Sequence, residues 1–343
     1  MEIHSRMLII TGTYPPQRCG VGDYTQRILS TSIASGWSLF YQKDWQLGNL
    51  SQLCRKLKST TDRVVCLQYP TMGYGTQITP HLLAIYAVVF ERRKLILTIH
   101  EYSQLGWKGK LALKLLFFFA SMVVFTTEFE RDAAKKRNPL LRHTSIIKIN
   151  SNIPASACPA TAAERGWDIC YFGYIRPLKG LEVFVDVVSR LRKEHPSLRI
   201  YVMGQTQPEY ASFYEPMLER LRAEGIEYFG DKSSDEVSDM LNHTKIAYLP
   251  YPDGLSERRG SFLAAAVNGC VVVSEEGQFT TASQRENIVL STKQSAGRVI
   301  LDLLSDEQKL NNVQKRLLEY VSRNVPCSWD EISSAYKAIE DAL

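Results

Sequence analysis

The chain has 343 residues, 45% of them hydrophobic and 22% charged, with a formal net charge of +5. That length suits two domains or one large barrel, and the composition excludes a disordered, coiled-coil or collagen-like chain. The charge is uneven: residues 1–160 hold 20 Lys+Arg against 9 Asp+Glu, leaving 21 against 27 in the remainder.

Residues 1–6 include Glu2, His4 and Arg6 and no apolar segment of leader length, so a cytoplasmic protein is expected. The longest apolar run, 115–125 with Ser121 inside it, falls short of the roughly 20 residues that span a bilayer. Strand-like runs then alternate with helical patterns: Met7-Leu8-Ile9-Ile10, Val64-Val65-Cys66-Leu67, Leu95-Ile96-Leu97-Thr98-Ile99 and Met122-Val123-Val124-Phe125. This is the rhythm of βαβ units. Pro154 and Pro159, set among Ala, Ser and Thr over 151–164, predict an interdomain linker. The rhythm restarts with Ile169-Cys170-Tyr171-Phe172, 198–203, 226–229, 246–249 and Cys270-Val271-Val272-Val273. Leu181, Phe184, Val188 and Leu191 keep helical spacing, and Ser233 to Glu236 forms a capping box. Two doubly wound parallel α/β domains follow from this pattern. The seven cysteines contain no C-x-x-C pair, so reduced thiols are expected and a zinc site is not.

Ligands of open α/β sheets bind beyond the carboxyl ends of strands, so four loops carry the interest. After the first run comes Thr13-Tyr14-Pro15-Pro16-Gln17-Arg18-Cys19-Gly20-Val21-Gly22-Asp23, whose glycines let backbone amides approach an anion; the other reading is a tight turn with Asp23 capping the helix. The third run delivers His100, which can polarise or hydrogen-bond a sugar hydroxyl or serve structure alone. In Gly173-Tyr174-Ile175-Arg176-Pro177-Leu178-Lys179-Gly180 two cations precede a helix. One such charge about 4 Å from a phosphate oxygen contributes roughly 4 kcal/mol at an effective dielectric near 20. Arg258 and Arg259 beside Gly260 and Ser261 also fit a diphosphate. For both cationic loops a solvated surface remains the alternative.

Basic clusters at Arg55/Lys56/Lys58, Arg92/Arg93/Lys94, Lys108/Lys110/Lys114 and Lys135/Lys136/Arg137 are interleaved with apolar segments. They suit an anionic membrane surface better than nucleic acid, for which no motif is present. The stretch 107–119 is the candidate contact, with burial in the first domain as the other reading.

In their order and spacing these residues resemble the group 1 sugar transferases, glycosyltransferase family 4. The resemblance rests on the Tyr14-Pro15-Pro16 to Gly20-Val21-Gly22 opening, Ile99-His100-Glu101, Phe172-Gly173 with Lys179-Gly180-Leu181-Glu182, Val202-Met203-Gly204, Leu249-Pro250, Asn268 to Val272, and Ser328-Trp329-Asp330-Glu331-Ile332. It covers nearly the whole chain and implies the GT-B fold, two Rossmann-like domains facing a central cleft. The implied layout is an acceptor domain over 1–155, a donor domain over 164–326 and a closing helix over 327–343 that crosses back. It further implies a nucleotide-sugar donor, a glycan or lipid-linked acceptor, and retention at the anomeric carbon without cofactor or metal. Polysaccharide biosynthesis at a bacterial surface is the expected setting.

Carried over by position, Lys179 matches the lysine that neutralises the donor diphosphate, His100 the histidine near the donor sugar, and Gly20 and Gly22 the loop facing the phosphates. Two departures stand out. The family arginine after the glycine is Tyr174, leaving Arg176 to substitute; of the family's two glutamates eight apart, Glu257 represents the first, while Ala265 holds the second position. The segment Ser256-Glu257-Arg258-Arg259-Gly260-Ser261 is similar to a variant loop whose arginines and serine take over donor contacts. The implied catalytic set is therefore His100, Lys179 and Glu257. The implied donor set is Gly20, Gly22, Arg176, Lys179, Ser256, Arg258, Arg259, Gly260 and Ser261. A nucleotide-sugar epimerase and a non-catalytic partner subunit are the competing readings.

Overall fold

The computed structural model describes residues 7–17, 19–139 and 141–343. Residues 1–6, on which the absence of a leader was argued, lie outside them, as does Arg18. The chain divides into two compact units: residues up to Asn150 together with Pro326–Leu343, and Ser151–Val325.

In the first unit the apolar runs become the parallel strands β1 (Met7–Thr11), β2 (Ser38–Tyr41), β3 (Val64–Tyr69), β4 (Lys94–Ile99), β5 (Met122–Phe125) and β6 (Thr144–Ile146), in the order β2-β1-β3-β4-β5-β6. They alternate with α1 (Gly20–Leu29), α2 (Leu50–Lys58), α3 (Thr79–Val89), α4 (Trp107–Phe119) and α5 (Glu128–Arg137). Successive strand residues point to opposite faces, and both faces are covered. Leu8, Ile10, Leu67, Leu95 and Leu97 pack with Leu53, Leu83, Leu113 and Leu116 of α2, α3 and α4. Met7, Ile9, Cys66, Ile96 and Val124 pack with Tyr24 and Ile28 of α1.

That second face is completed from the far end of the chain. The last helix, which we number α13 (Trp329–Ala342), contributes Ile332 and Tyr336 to the same cluster. Ser328 caps it by accepting from the Glu331 amide. Ser333 shares a 2.9 Å hydrogen bond with Thr31, and the Trp37 indole donates to Glu340 at 3.0 Å.

The second unit repeats the plan with β7 (Trp167–Phe172), β8 (Ile200–Met203), β9 (Glu227–Phe229), β10 (Thr244–Leu249), β11 (Val271–Ser274) and β12 (Val289–Leu290), in the order β12-β11-β10-β7-β8-β9. Its helices are α6 (Leu181–Glu194), α7 (Ala211–Ala223), α8 (Ser234–Asn242), α9 (Gly260–Val267), α10 (Ala282–Asn287), α11 (Ala296–Leu304) and α12 (Glu307–Asn324).

The stretch expected to be a linker is tied to this unit. The Pro154 carbonyl accepts from Ser238 and Asn268, the Ser156 amide donates to Asn268, and the Ala160 amide donates to Asn242. Buried Arg165 donates to the carbonyls of Ala160, Leu241, Thr244 and Asn268. Side-chain amides and a guanidinium thus satisfy backbone that no ladder serves.

Candidate active site

In unit 1 the chain leaves β1 toward β2 and resumes at β3 on the other side, so the crevice of this sheet opens between the loops after β1 and β3. The two loops touch closely. A Cβ on Gly73 would lie 1.6 Å from the Gly12 carbonyl oxygen, and the Gly73 amide donates to Thr13 at 2.9 Å. Neither Gly12 nor Gly73 was singled out by sequence, although each follows a strand run.

The glycine pair of the first loop is not a loop. Helix α1 begins at Gly20 with Cys19 as its N-cap, and the Asp23 amide already donates to the Cys19 carbonyl, so Asp23 sits in the first turn rather than at the N-cap. Burial raises its carboxyl, against the pull of Arg27. Gly22 lies against β1's exit, where a Cβ would meet the Thr13 carbonyl at 2.9 Å; Gly20 faces open space.

His100 follows the last residue of β4 and is buried. Its amide donates to the Tyr69 carbonyl, its Nε2 lies 2.9 Å from Gln68 Oε1, and its ring meets Tyr24 edge-on at 5.2 Å between centroids. Gln68 in turn donates to Cys66 Sγ and Thr98 Oγ1. The imidazole is therefore fixed by a buried polar chain, which sequence position alone did not reveal.

In unit 2 the strand order reverses at β7, whose two neighbours are β8 and β10. Both cationic loops flank that reversal. They are pressed together at Gly180, the N-cap of α6, where φ is 90° and a Cβ would fall 2.0 Å from the Pro250 carbonyl oxygen. Only glycine fits a left-handed backbone that close to a neighbour.

Lys179 immediately precedes this cap, and its carbonyl accepts from the Tyr171 hydroxyl at 3.0 Å. Burial pushes the Tyr171 phenol upward, reinforced by Tyr251 and Glu182, while Arg176 and Arg259 pull it back. One phenol thus feels a guanidinium from each loop. The Arg176 Nε is buried without a hydrogen-bond partner among the described residues.

The adjacent arginines diverge. Arg258 lies over the Phe279 ring at 5.1 Å, whereas Arg259 pairs with Asp253 and covers the Tyr251 ring at 4.8 Å. Ser261 does not cap α9; its Oγ lies 2.6 Å from the Tyr251 hydroxyl. Burial pushes that phenol up to about 12, against Ser261 and Arg259. Helix α9 starts at exposed Gly260 behind Arg259, with no side-chain cap on its first turn.

Glu257 lies close to Tyr320 of α12, whose phenol is raised by burial first and by this nearby carboxylate second. Ser256 is buried, and its Oγ has no hydrogen-bond partner among the described residues. The loop after β11 also reaches this edge, with Gly277 held so near that a Cβ would meet the Asp253 carbonyl oxygen at 2.1 Å. Its signal, Glu275-Glu276-Gly277 directly after an apolar run, was present in the sequence and went unused.

Residues 159–318 match the family model of the glycosyl transferases group 1. No curated protein matches the chain. Among solved structures, Anabaena HepE in complex with UDP and glucose aligns with a TM-score of 0.73 at 12% identity, covering 99% of this chain and 100% of that one. Sucrose-phosphate synthase from Thermosynechococcus elongatus aligns at 0.72 and 14% identity, covering 99% and 100%. A glycosyltransferase from Rickettsia africae aligns at 0.70 and 12%, covering 98% of each. At these identities the likeness is one of fold, and the expected GT-B fold class is borne out.

Proposed function

We propose that this chain, whose residues 159–318 match the family model of the glycosyl transferases group 1, moves a sugar from a nucleoside diphosphate donor to a hydroxyl of a glycan or lipid-linked acceptor. The observation that carries this reading is the place of Arg176 and Lys179 in the loop that runs from β7 into the amino end of α6, at the β7/β10 reversal. A helix amino end and fixed cations are complementary to a diphosphate leaving group. UDP, which the HepE structures contain, is the first donor nucleotide to test.

In this reading transfer proceeds with retention and without metal. The bond from the anomeric carbon to the diphosphate oxygen breaks as the bond to the acceptor oxygen forms on the same face. The departing oxygen takes the acceptor proton, and Lys179 and Arg176 stabilise the charge left on the diphosphate. Charge placed in advance toward a leaving group is the largest catalytic contribution available to such a site. Arg258, Arg259 and the first turn of α9 serve the donor from the second loop. Glu257, beside Tyr320, accepts from a donor-sugar hydroxyl, and in unit 1 His100, held by Gln68, hydrogen-bonds a sugar hydroxyl. The basic excess of the first unit suits an acceptor presented at an anionic surface, with assembly of surface polysaccharide as the setting.

Calorimetry of the protein with UDP, GDP, ADP and dTDP and their sugars, in the presence of a chelator, tests the reading. Saturable binding of one nucleotide family is expected; no binding by folded protein overturns it.

A further inference from the structure

Helix α4 has the composition of a helix buried on all sides: Trp107, Leu111, Leu113, Leu115, Leu116, Phe117, Phe118 and Phe119 share its 13 residues with three lysines and no acid. A helix of that kind normally lies inside a core. Here only Leu113 and Leu116 are buried, facing α3 and the sheet. Trp107 is 73% exposed, Leu111 59%, Leu115 50% and Phe118 82%. Their spacing of four, four and three residues places them within about 80° of one another, in a stripe roughly 17 Å long.

The lysines bracket this stripe. Lys108 lies on one flank, with its ammonium 5.6 Å from the centre of the Trp107 ring, and Lys114, also exposed, lies on the other. Lys110, further round on the flank of Lys114, donates to the Ser103 carbonyl. Because α3 and α4 both run antiparallel to the strands of a parallel sheet, their carboxy ends share one edge of the unit. There Phe90, 71% exposed, with exposed Arg92 and Lys94 just beyond it, extends the same combination of apolar and basic groups.

We infer that this face of α4 docks on an anionic lipid bilayer, lying parallel to the surface with Trp107, Leu111, Leu115 and Phe118 among the acyl chains and lysines at the headgroups. Charge decides the occupant. A second copy packed by two-fold symmetry would bring the same acid-free lysine set against itself. A negatively charged surface satisfies the lysines on both flanks while burying the stripe between them. Tryptophan at the end of the stripe suits the boundary, where its ring is apolar and its N–H remains near water. The inference deepens the reading of unit 1 as the acceptor side but uses neither donor nor acceptor, so either can fail without the other.

The test is cosedimentation of the full chain with vesicles of phosphatidylcholine alone and of equimolar phosphatidylcholine and phosphatidylglycerol, with Trp107 emission read by difference from Trp107→Phe. Binding to the anionic vesicles at least ~10-fold above neutral ones is expected, weakening with salt, with a blue shift assigned to Trp107. Leu111→Glu with Phe118→Glu should abolish binding while circular dichroism is retained, because both side chains already face solvent. Lys108→Gln with Lys114→Gln, which leaves the apolar stripe intact, should weaken it several-fold. Equal binding by wild type and the glutamate variant overturns the inference. So does absence of binding at low salt, or a dimer in sedimentation velocity that the glutamate variant dissolves while vesicles are ignored.

Discussion

The hydroxyl of Tyr336, on the last helix of the chain, lies 2.9 Å from the Oγ1 of Thr98, two residues before His100 on β4. Tyr24 of α1 donates to the same hydroxyl at 3.2 Å. Residues 312 positions apart thus close one buried polar chain, Tyr24-Tyr336-Thr98-Gln68-His100, behind the imidazole. Such a chain is stable only while every member is satisfied.

Tyr336→Phe should therefore destabilise the first unit by about 1–2 kcal/mol, because the Thr98 and Tyr24 hydroxyls lose a partner in a site water does not reach. Urea unfolding followed through Trp37 and Trp329 fluorescence checks this; an unchanged midpoint would mean the chain is not closed through Tyr336.

Gly180 is the N-cap of α6 and Gly260 the first residue of α9, and the two differ in what surrounds them. Gly180→Ala should cost several kcal/mol, since a Cβ would overlap the Pro250 carbonyl and the backbone is left-handed. Gly260→Ala, with nothing within 4 Å of the added carbon, should change stability by no more than about 0.5 kcal/mol. Thermal unfolding of the two variants separates them; similar midpoints would sink the close approach of the two loops.

Lys179→Ala should lower kcat/KM by on the order of 10²-fold with the fold intact, since the proposed mechanism sets its charge against the leaving group. Lys179→Arg should recover part of the loss. Wild-type kinetics in the alanine variant would remove Lys179 from the chemistry.

Arg258→Ala should weaken donor binding. Arg259→Ala should lower stability more than Arg258→Ala does, because Arg259 pairs with Asp253 and covers Tyr251. Titration calorimetry and melting, read together, test this split; equal stability of both variants would return Arg259 to a solvated surface.

Burial pushes His81 of α3 down from its usual 6.5 to about 4. The folded chain holds this imidazole neutral, so its contribution is full above about pH 6.5, declines as the unfolded chain takes up the proton, and is gone below pH 4. Stability of unit 1 should fall by roughly 3 kcal/mol across that window from this group. His81→Gln should flatten the profile there, and an equally steep variant would show that another group titrates.

Sequence and structure agree best where strands are buried on both faces. The runs at Met7, Val64, Leu95, Ile169, Ile246 and Val271 are unbroken because central parallel strands meet helices on each side. The edge strands β2, β6 and β12 went unseen: Ser38 and Leu39 are exposed, and Thr144, Ser145 and Ile146 only half-buried, so no apolar run announces them. The stretch 151–164 reads as a linker yet belongs to unit 2, for a related reason. Pro154, Ser156 and Ala160 are held by Asn and Ser side chains from elsewhere in unit 2, a tether with no periodicity.

The amino-acid sequence by itself determined the two parallel α/β domains, the order of their central strands and the residues that follow those strands, because apolar periodicity and glycine placement act locally. Only the tertiary structure decided which of those residues meet. It joined Gly180 to Pro250, turned Arg258 and Arg259 apart, brought Glu257 near Tyr320, tied His100 to Gln68, and left one face of α4 uncovered. Each of these outcomes depends on packing between segments far apart in the chain, and a helix apolar on every side carries no local mark of which side the core will take.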